Sequence, residues 1–296
     1  MLDVALRVTV VVFMLGSLGG VGLGLAAREL TVPLKHASFV ALSLFGCWVA
    51  CPVLAVLLLQ LVPLDSGYAM GLLLLALAPC APFAPAMAQM ARGDPPYMAG
   101  FVLLSAASTV LMMPILTPML VPGLSPDPFA VARPLLLFVL LPLLIGMAVR
   151  AWSRATADRV RPVVAVITSV AAAMLLLVTV LLHGRSVLGA VGSFAIATQV
   201  VFVVLATAMA YLLGWRFPHE QRSVLTLGLC TRNLGGALAP LAAIDHDPRA
   251  MVMIVIAVPV TIGVSFVTAR WLARREQQRH ASPPTRSAIH TPAGSA

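Results

Sequence analysis

The sequence predicts an all-α polytopic membrane protein: nine transmembrane helices, built as an inverted repeat in which two broken helices cross. Three observations predict this. The 296 residues are 60% hydrophobic and only 10% charged, with a mean hydropathy of +1.02, whereas a soluble domain carries about 25% charged residues. Nine apolar stretches reach the roughly 20 residues that a helix needs to cross a bilayer. Two of the nine are interrupted near their middles by proline and glycine, at corresponding places in the two halves of the chain.

The nine stretches are 4–26, 37–61, 66–90, 97–121, 133–151, 162–183, 187–214, 222–244 and 249–272. The first exceeds the 7–15 apolar residues of a signal peptide, and only Arg7 precedes most of it, so it reads as a retained span. Short connections rich in turn formers, such as "VPLDSG" and "VPGLSPDP", separate the spans. Residues 276–296 are polar and rich in Pro, Ser and Thr, which predicts a disordered cytoplasmic tail.

The charges orient these spans. Of 19 Lys and Arg, fourteen fall on one side, including Arg28, Arg92, Arg150, Arg161, Arg222 and Arg274; Arg7, Arg133, Arg185 and Arg249 fall on the other. The positive-inside rule then puts the N-terminus outside and the C-terminus in the cytoplasm. Such a chain is expected in a plasma membrane of the bacterial inner-membrane kind. Its formal charge of +9 is accounted for by topology, and nucleic acid is not an expected partner.

One basic residue is left over. Arg232 lies at the centre of "GLCTRNLGGALAP", residues 228–240, inside the eighth stretch. All ten acidic residues fall in predicted loops or termini, so no intramembrane carboxylate is expected beside it. Proline removes a backbone donor and clashes with the preceding turn. An unbroken helix is therefore not expected through this stretch, which holds Gly235, Gly236 and Pro240, or through the third, which holds Pro79, Pro82 and Pro85. Asp94-Pro95 closes the third stretch and Asp247-Pro248 the eighth, 153 residues later; the same offset lays Pro79 and Cys80 on Arg232 and Asn233. By the charge count the two stretches run in opposite directions, the mark of an inverted-repeat transporter.

"ALAPCAPFAPAMAQMARGD" followed by "STVLMMPILTP", together with "CTRNLGGALA" and the Gly-rich "FMLGSLGGVGLGL", resembles the bile acid:sodium symporter family over residues 10–272. The resemblance implies a core formed by 37–121 and 187–272, moving against a panel formed by 4–26 and 133–183. It also implies a small organic anion as substrate, usually carried with sodium. Where the family has Ser-Asn in the first broken helix, this chain has Ala84 and Pro85; the sodium-ligating glutamate corresponds to Gly228, and the following glutamine to Arg232. Ser105, Ser108 and Thr109 remain near the family's hydroxyl ligands. These three, with Thr231, Arg232, Asn233, Pro79, Cys80 and Pro82, are the candidate substrate-binding residues.

A guanidinium 4 Å from a sodium ion would repel it by about 4 kcal/mol at an effective dielectric of 20. The replaced ligands therefore argue against sodium coupling, and no other cofactor or metal is expected. Arg232 is instead expected to supply the positive charge permanently, either by binding the anion or by capping the carbonyls that end a half-helix. The alternatives are a sodium-coupled symporter and, in another class, a membrane receptor that binds the anion without moving it. No hydrolase motif lies inside a span, so an enzyme is not expected.

Overall fold

The computed structural model describes the backbone of residues 2–26, 31–121, 127–243 and 247–281. Among these residues it is all helix, with twelve α-helical elements, and seven of the helices are long and apolar enough to cross a membrane. Those seven are α1 (Leu2–Gly22), α3 (Ala37–Leu61), α6 (Pro95–Leu120), α7 (Pro128–Trp152), α8 (Arg154–Gly192), α9 (Ala195–Leu213) and α12 (Pro248–Ala281). The short α2 (Thr31–Lys35) precedes α3. The third stretch is split into α4 (Ser66–Ala76) and α5 (Ala84–Met90). The eighth is split into α10 (His219–Cys230) and α11 (Leu234–Leu238), with a 3-10 turn at Pro240–Ala243.

Side-chain caps start these helices where the sequence places short polar residues. Asp65 accepts from the Gly67 N–H, Asp94 from Tyr97, Asp127 from Phe129, Ser153 from Thr156 and Asp247 from Arg249. Each satisfies a helix-end donor that has no intrahelical partner. Three Asp-Pro pairs thus do the same job at the starts of α6, α7 and α12.

Proline also shapes the helix interiors. Pro52 and Pro142 cannot donate to the carbonyl four residues back, and each is preceded by a π-type turn, at Gly46–Ala50 and Leu136–Leu140. There the Cys51 and Leu141 N–H groups reach back five residues, to Gly46 and Leu136.

Small residues set the packing. α1 lies against α7 and α8. A methyl on Gly146 of α7 would sit 2.4 Å from the Gly19 carbonyl oxygen of α1. One on Gly16 would sit 2.3 Å from Thr168 Oγ1 of α8. α12 packs on α4, α8 and α9, and α9 on α10. Long apolar side chains such as Val163, Val166, Val170 and Leu181 line the exposed face of α8, as a lipid-facing helix requires. Trp152, Trp215 and Trp271, each beside an arginine, are all exposed.

One expectation is corrected and one boundary is met. Within α8 the backbone leaves helical geometry at His183 (φ −118°, ψ 30°), where two helices join across a kink, next to the boundary that the sequence reading places between 183 and 187. A second turn follows at Phe194, which is left-handed at φ 62°. The tail expected from 276 begins as helix, since α12 continues to Ala281. Residues 282–296, expected to be disordered, lie outside the described residues.

Candidate functional site

The two interrupted segments cross and pair through their backbones. Pro79 and Arg232 form an antiparallel β-bridge. The Cys80 N–H donates to the Thr231 carbonyl at 3.0 Å, and the Asn233 N–H to the Ala78 carbonyl at 2.8 Å. An offset of 153 exchanges these two hydrogen bonds, so the correspondence read from the sequence is also a physical pairing. It satisfies backbone groups that the breaks release at membrane depth. Cys80 takes a left-handed φ of 63° to make the crossing, a conformation that a non-glycine residue adopts at some cost.

The polar candidates at the crossing are mostly committed to building it. Thr231 is fully buried; its hydroxyl donates to the Leu227 carbonyl at 2.9 Å and accepts from the Ala81 N–H at 3.2 Å. Asn233 caps α11, its side-chain oxygen accepting from the Gly236 N–H at 3.1 Å. Ser105, Ser108 and Thr109 are buried in α6 and donate to the carbonyls of Val102, Ser105 and Ser105; Ser108 also accepts from Trp48 Nε1 at 2.9 Å.

Arg232 is 3% exposed. One terminal nitrogen donates to the Leu229 carbonyl at 2.6 Å and to Cys51 Sγ at 2.8 Å, and the other lies 3.5 Å from the Ala76 carbonyl. Leu229 and Ala76 end the two half-helices that lead into the crossing, so one guanidinium caps both C-termini and offsets the negative end of each helix dipole. The Phe202 ring lies 5.1 Å from its Cζ, within cation–π range. Gly46 lets Leu229 come this close, since a methyl there would sit 2.4 Å from a Leu229 methyl, and the π-type turn that follows delivers Cys51. The side chain forms no ion pair with any described carboxylate. Only Nε is buried without an acceptor.

The positions where the resemblance implies sodium ligands are changed in space as well as in sequence. Ala84 and Pro85 carry no side-chain oxygen. A Cβ on Gly228 would sit 2.4 Å from Phe101 Cε1, so an aromatic ring fills the room a glutamate would need. No cluster of three or more His, Cys, Asp or Glu suited to a metal occurs among the described residues.

A cavity of about 490 Å³ adjoins the crossing, within the range of small-molecule sites. Its walls come from α1 and α8 on one side, and from the first break, the start of α5, the second break and α12 on the other. Of the predicted site residues, Arg232, Pro82 and Pro85 line it, whereas Cys80, Thr231, Asn233, Ser105, Ser108 and Thr109 do not. The polar lining that sequence reasoning missed is Ser17, Arg161, Thr168, Ser169 and Thr261. One of these was within reach, because the offset of 153 lays Thr261 on Ser108.

Glu276 is another residue the sequence reading missed. Expected in a disordered tail, it is 8% exposed on α12 and pairs with His219 Nδ1 of α10 at 3.2 Å. His219 Nε2 lies 3.1 Å from the Ala91 carbonyl just past α5, so this cluster ties the two interrupted segments to the end of α12.

A helical bundle in which two broken segments cross beside a drug-sized cavity defines a transporter-like integral membrane protein. The sequence comparisons agree. The family model described as the Sodium Bile acid symporter family matches residues 9–190, more than half of the chain, and the protein belongs to that family. The family is one of transporters, not enzymes. A curated relative, a probable chloroplastic sodium/metabolite cotransporter (BASS3) of Oryza sativa subsp. japonica, is 22% identical over 238 residues, covering 77% of this chain. The chain spans about half the length of that relative, 55% of it.

Proposed function

We propose that this protein moves a small organic anion across the membrane by alternating access, without sodium. The observation that carries the reading is the placement of Arg232: a permanent guanidinium fixed inside the crossing, where the resemblance implies sodium. The residues do not compose a sodium site. Gly228 has lost the carboxylate and Phe101 holds its space, while Ala84 and Pro85 offer no side-chain oxygen. Adding sodium beside Arg232 would cost about 4 kcal/mol of repulsion with no carboxylate to offset it. The anion would be held in the cavity that Arg232 helps to line, within the field of its permanent charge, while the hydrogen bonds of the guanidinium keep the crossing rigid.

Seven long apolar helices and two interrupted segments would supply nine passes. Four elements of the first half recur at an offset near 153: α1 with α8, α3 with α9, the α4–α5 segment with α10–α11, and α6 with α12. Five passes separate each pair, so the halves run in opposite directions. The panel is α1, α7 and α8, the core is the remainder, and the cavity lies at the seam between them. The N-terminus outside and the C-terminus in the cytoplasm follow from the charge count.

Liposomes holding the purified protein and preloaded with unlabelled decanoate test the proposal. Labelled decanoate should enter in potassium medium free of sodium. Binding without any flux would instead favour a receptor.

A further inference from the structure

A second cavity, of about 1250 Å³, lies between α3 and α9, apart from the crossing. Its origin is in the packing. Residues 51–61 of α3 pack on α9, whereas residues 37–45 lean on α2 and α6 instead. The two helices therefore part toward the arginine-rich side of the membrane. The turn between α9 and α10 lines the wide end of the gap.

The groove is apolar at depth and polar at its mouth. Leu42 and Leu54 of α3 line it together with Leu205 and Met209 of α9. Leu205 and Leu212 are 41% and 66% exposed, so it opens sideways, away from the bundle. From Leu205 to Leu213 is eight residues, about 12 Å at the helical rise. The hydrocarbon of one leaflet is about 15 Å thick, so the groove is close to one leaflet deep. His36, Ser38, Arg216 and Gln221 supply its polar lining, and no carboxylate among the described residues lines it.

Arg216 is the exposed base at this mouth. It forms no ion pair with a described carboxylate, and its Cζ stands 5.1 Å from the Trp215 ring. The nearby arginines are engaged within the protein: Arg222 Nε donates to the Tyr211 carbonyl and Arg275 Nη1 to the Tyr211 hydroxyl, both at 2.9 Å. Trp215 is 66% exposed, as a tryptophan at the membrane–water interface is. The His36 ring is held by the Tyr97 hydroxyl at 2.9 Å and meets Phe217 edge-on, which fixes the wall beside the arginine. A basic mouth over an apolar slot between helices matches a lipid with an anionic headgroup.

We infer that the groove between α3 and α9 seats an anionic phospholipid, its phosphate on Arg216 and an acyl chain along Leu205, Met209 and Leu54. By the charge count it is a lipid of the cytoplasmic leaflet. The guanidinium fork suits phosphate oxygens in bidentate contact. The seat also bears on the crossing. Leu54 and Leu205 lie three residues beyond Cys51 and Phe202, which reach Arg232 from the two helices. An acyl chain in the gap braces the helices that hold that guanidinium, whatever the protein transports.

Native mass spectrometry of the full chain tests this, after release from nanodiscs of phosphatidylglycerol and phosphatidylcholine in equal parts with matched acyl chains. The wild type should retain phosphatidylglycerol over phosphatidylcholine by roughly fivefold, the ratio that one basic side chain worth about 1 kcal/mol gives. R216Q should remove the preference, and R216K should keep most of it. R159Q removes an exposed arginine outside the groove and should leave the preference intact. A208F fills the groove from α9 and should lower the retention of both lipids. Ala208 and Arg216 are exposed, so these variants should unfold at the wild-type midpoint in lipid-free detergent. A preference that survives in R216Q, or falls equally in R159Q, would overturn the inference. So would an A208F chain that retains lipid as the wild type does. A wild-type dimer that A208F abolishes, found in place of bound lipid, would make the groove a contact between copies and overturn it as well.

Discussion

Pro79 and Arg232 face each other across an antiparallel bridge, 153 residues apart, at the point where the two interrupted segments cross. The hydrogen bonds on either side, Cys80 to Thr231 and Asn233 to Ala78, are images of one another under that spacing. From this crossing the Arg232 side chain turns inward, toward Leu229, Cys51 and Phe202. The residue therefore serves the fold, and in the transport reading its charge serves the cavity as well.

Removing its guanidinium should cost stability. Two charge-assisted hydrogen bonds to carbonyls contribute about 1.5–3 kcal/mol each, against about 2.5–3.5 kcal/mol for placing an arginine at membrane depth. R232A is expected to lose a net of about 1–2 kcal/mol in detergent unfolding, and R232Q less. A variant as stable as wild type would remove the capping role.

The Phe101 ring should make Gly228 intolerant of any side chain. G228A drives a Cβ to within 2.4–2.7 Å of three ring atoms and is expected to lower stability by about 1–3 kcal/mol. F101L in the same chain should restore most of the loss. Thermal unfolding of the single and double variants measures the coupling; additive losses would show that the ring does not hold that space.

Glycines on the two sides of the helix interfaces should respond oppositely. G146A pushes a methyl onto the Gly19 carbonyl and the Leu23 N–H, at 2.4 and 2.7 Å, so it should destabilise by about 1–3 kcal/mol. Gly263 in α12 has nothing within 4 Å, and G263A should stabilise by about 0.5–1 kcal/mol through helix propensity alone. Unfolding midpoints of the pair give the comparison.

The loop before α4 should show acid sensitivity. A hydrogen bond from Arg249 holds the Asp65 carboxyl below its ordinary value of 3.8. A depressed native value stabilises the fold above the ordinary pKa, and that contribution is lost as pH falls below 3.8 through the native value. D65N should therefore lose less stability than wild type between pH 4 and lower pH. Parallel acid-unfolding curves would contradict the ion pair.

Much of this architecture is legible from local chemistry. The prolines and glycines of both interrupted segments, and the Asp-Pro caps that follow them, act within a few residues of themselves, so the break positions and the 153-residue spacing can be read from the chain. The direction of the Arg232 side chain cannot, because Cys51 and Phe202 come from α3 and α9, helices distant in sequence. The same holds for Glu276, whose partner His219 lies 57 residues away and draws a polar segment into a buried pair. Ser105, Ser108 and Thr109 were expected at the site but turn to their own helix carbonyls, a choice that spacing does not reveal.

The central claim, that a fixed guanidinium stands where relatives of this family would place sodium, is tested most directly by the ion dependence of uptake. Proteoliposomes carrying the wild-type chain would be given labelled decanoate with an inward gradient of sodium or of choline, at equal ionic strength. Equal initial rates are predicted. Uptake driven several-fold faster by the sodium gradient would contradict the account.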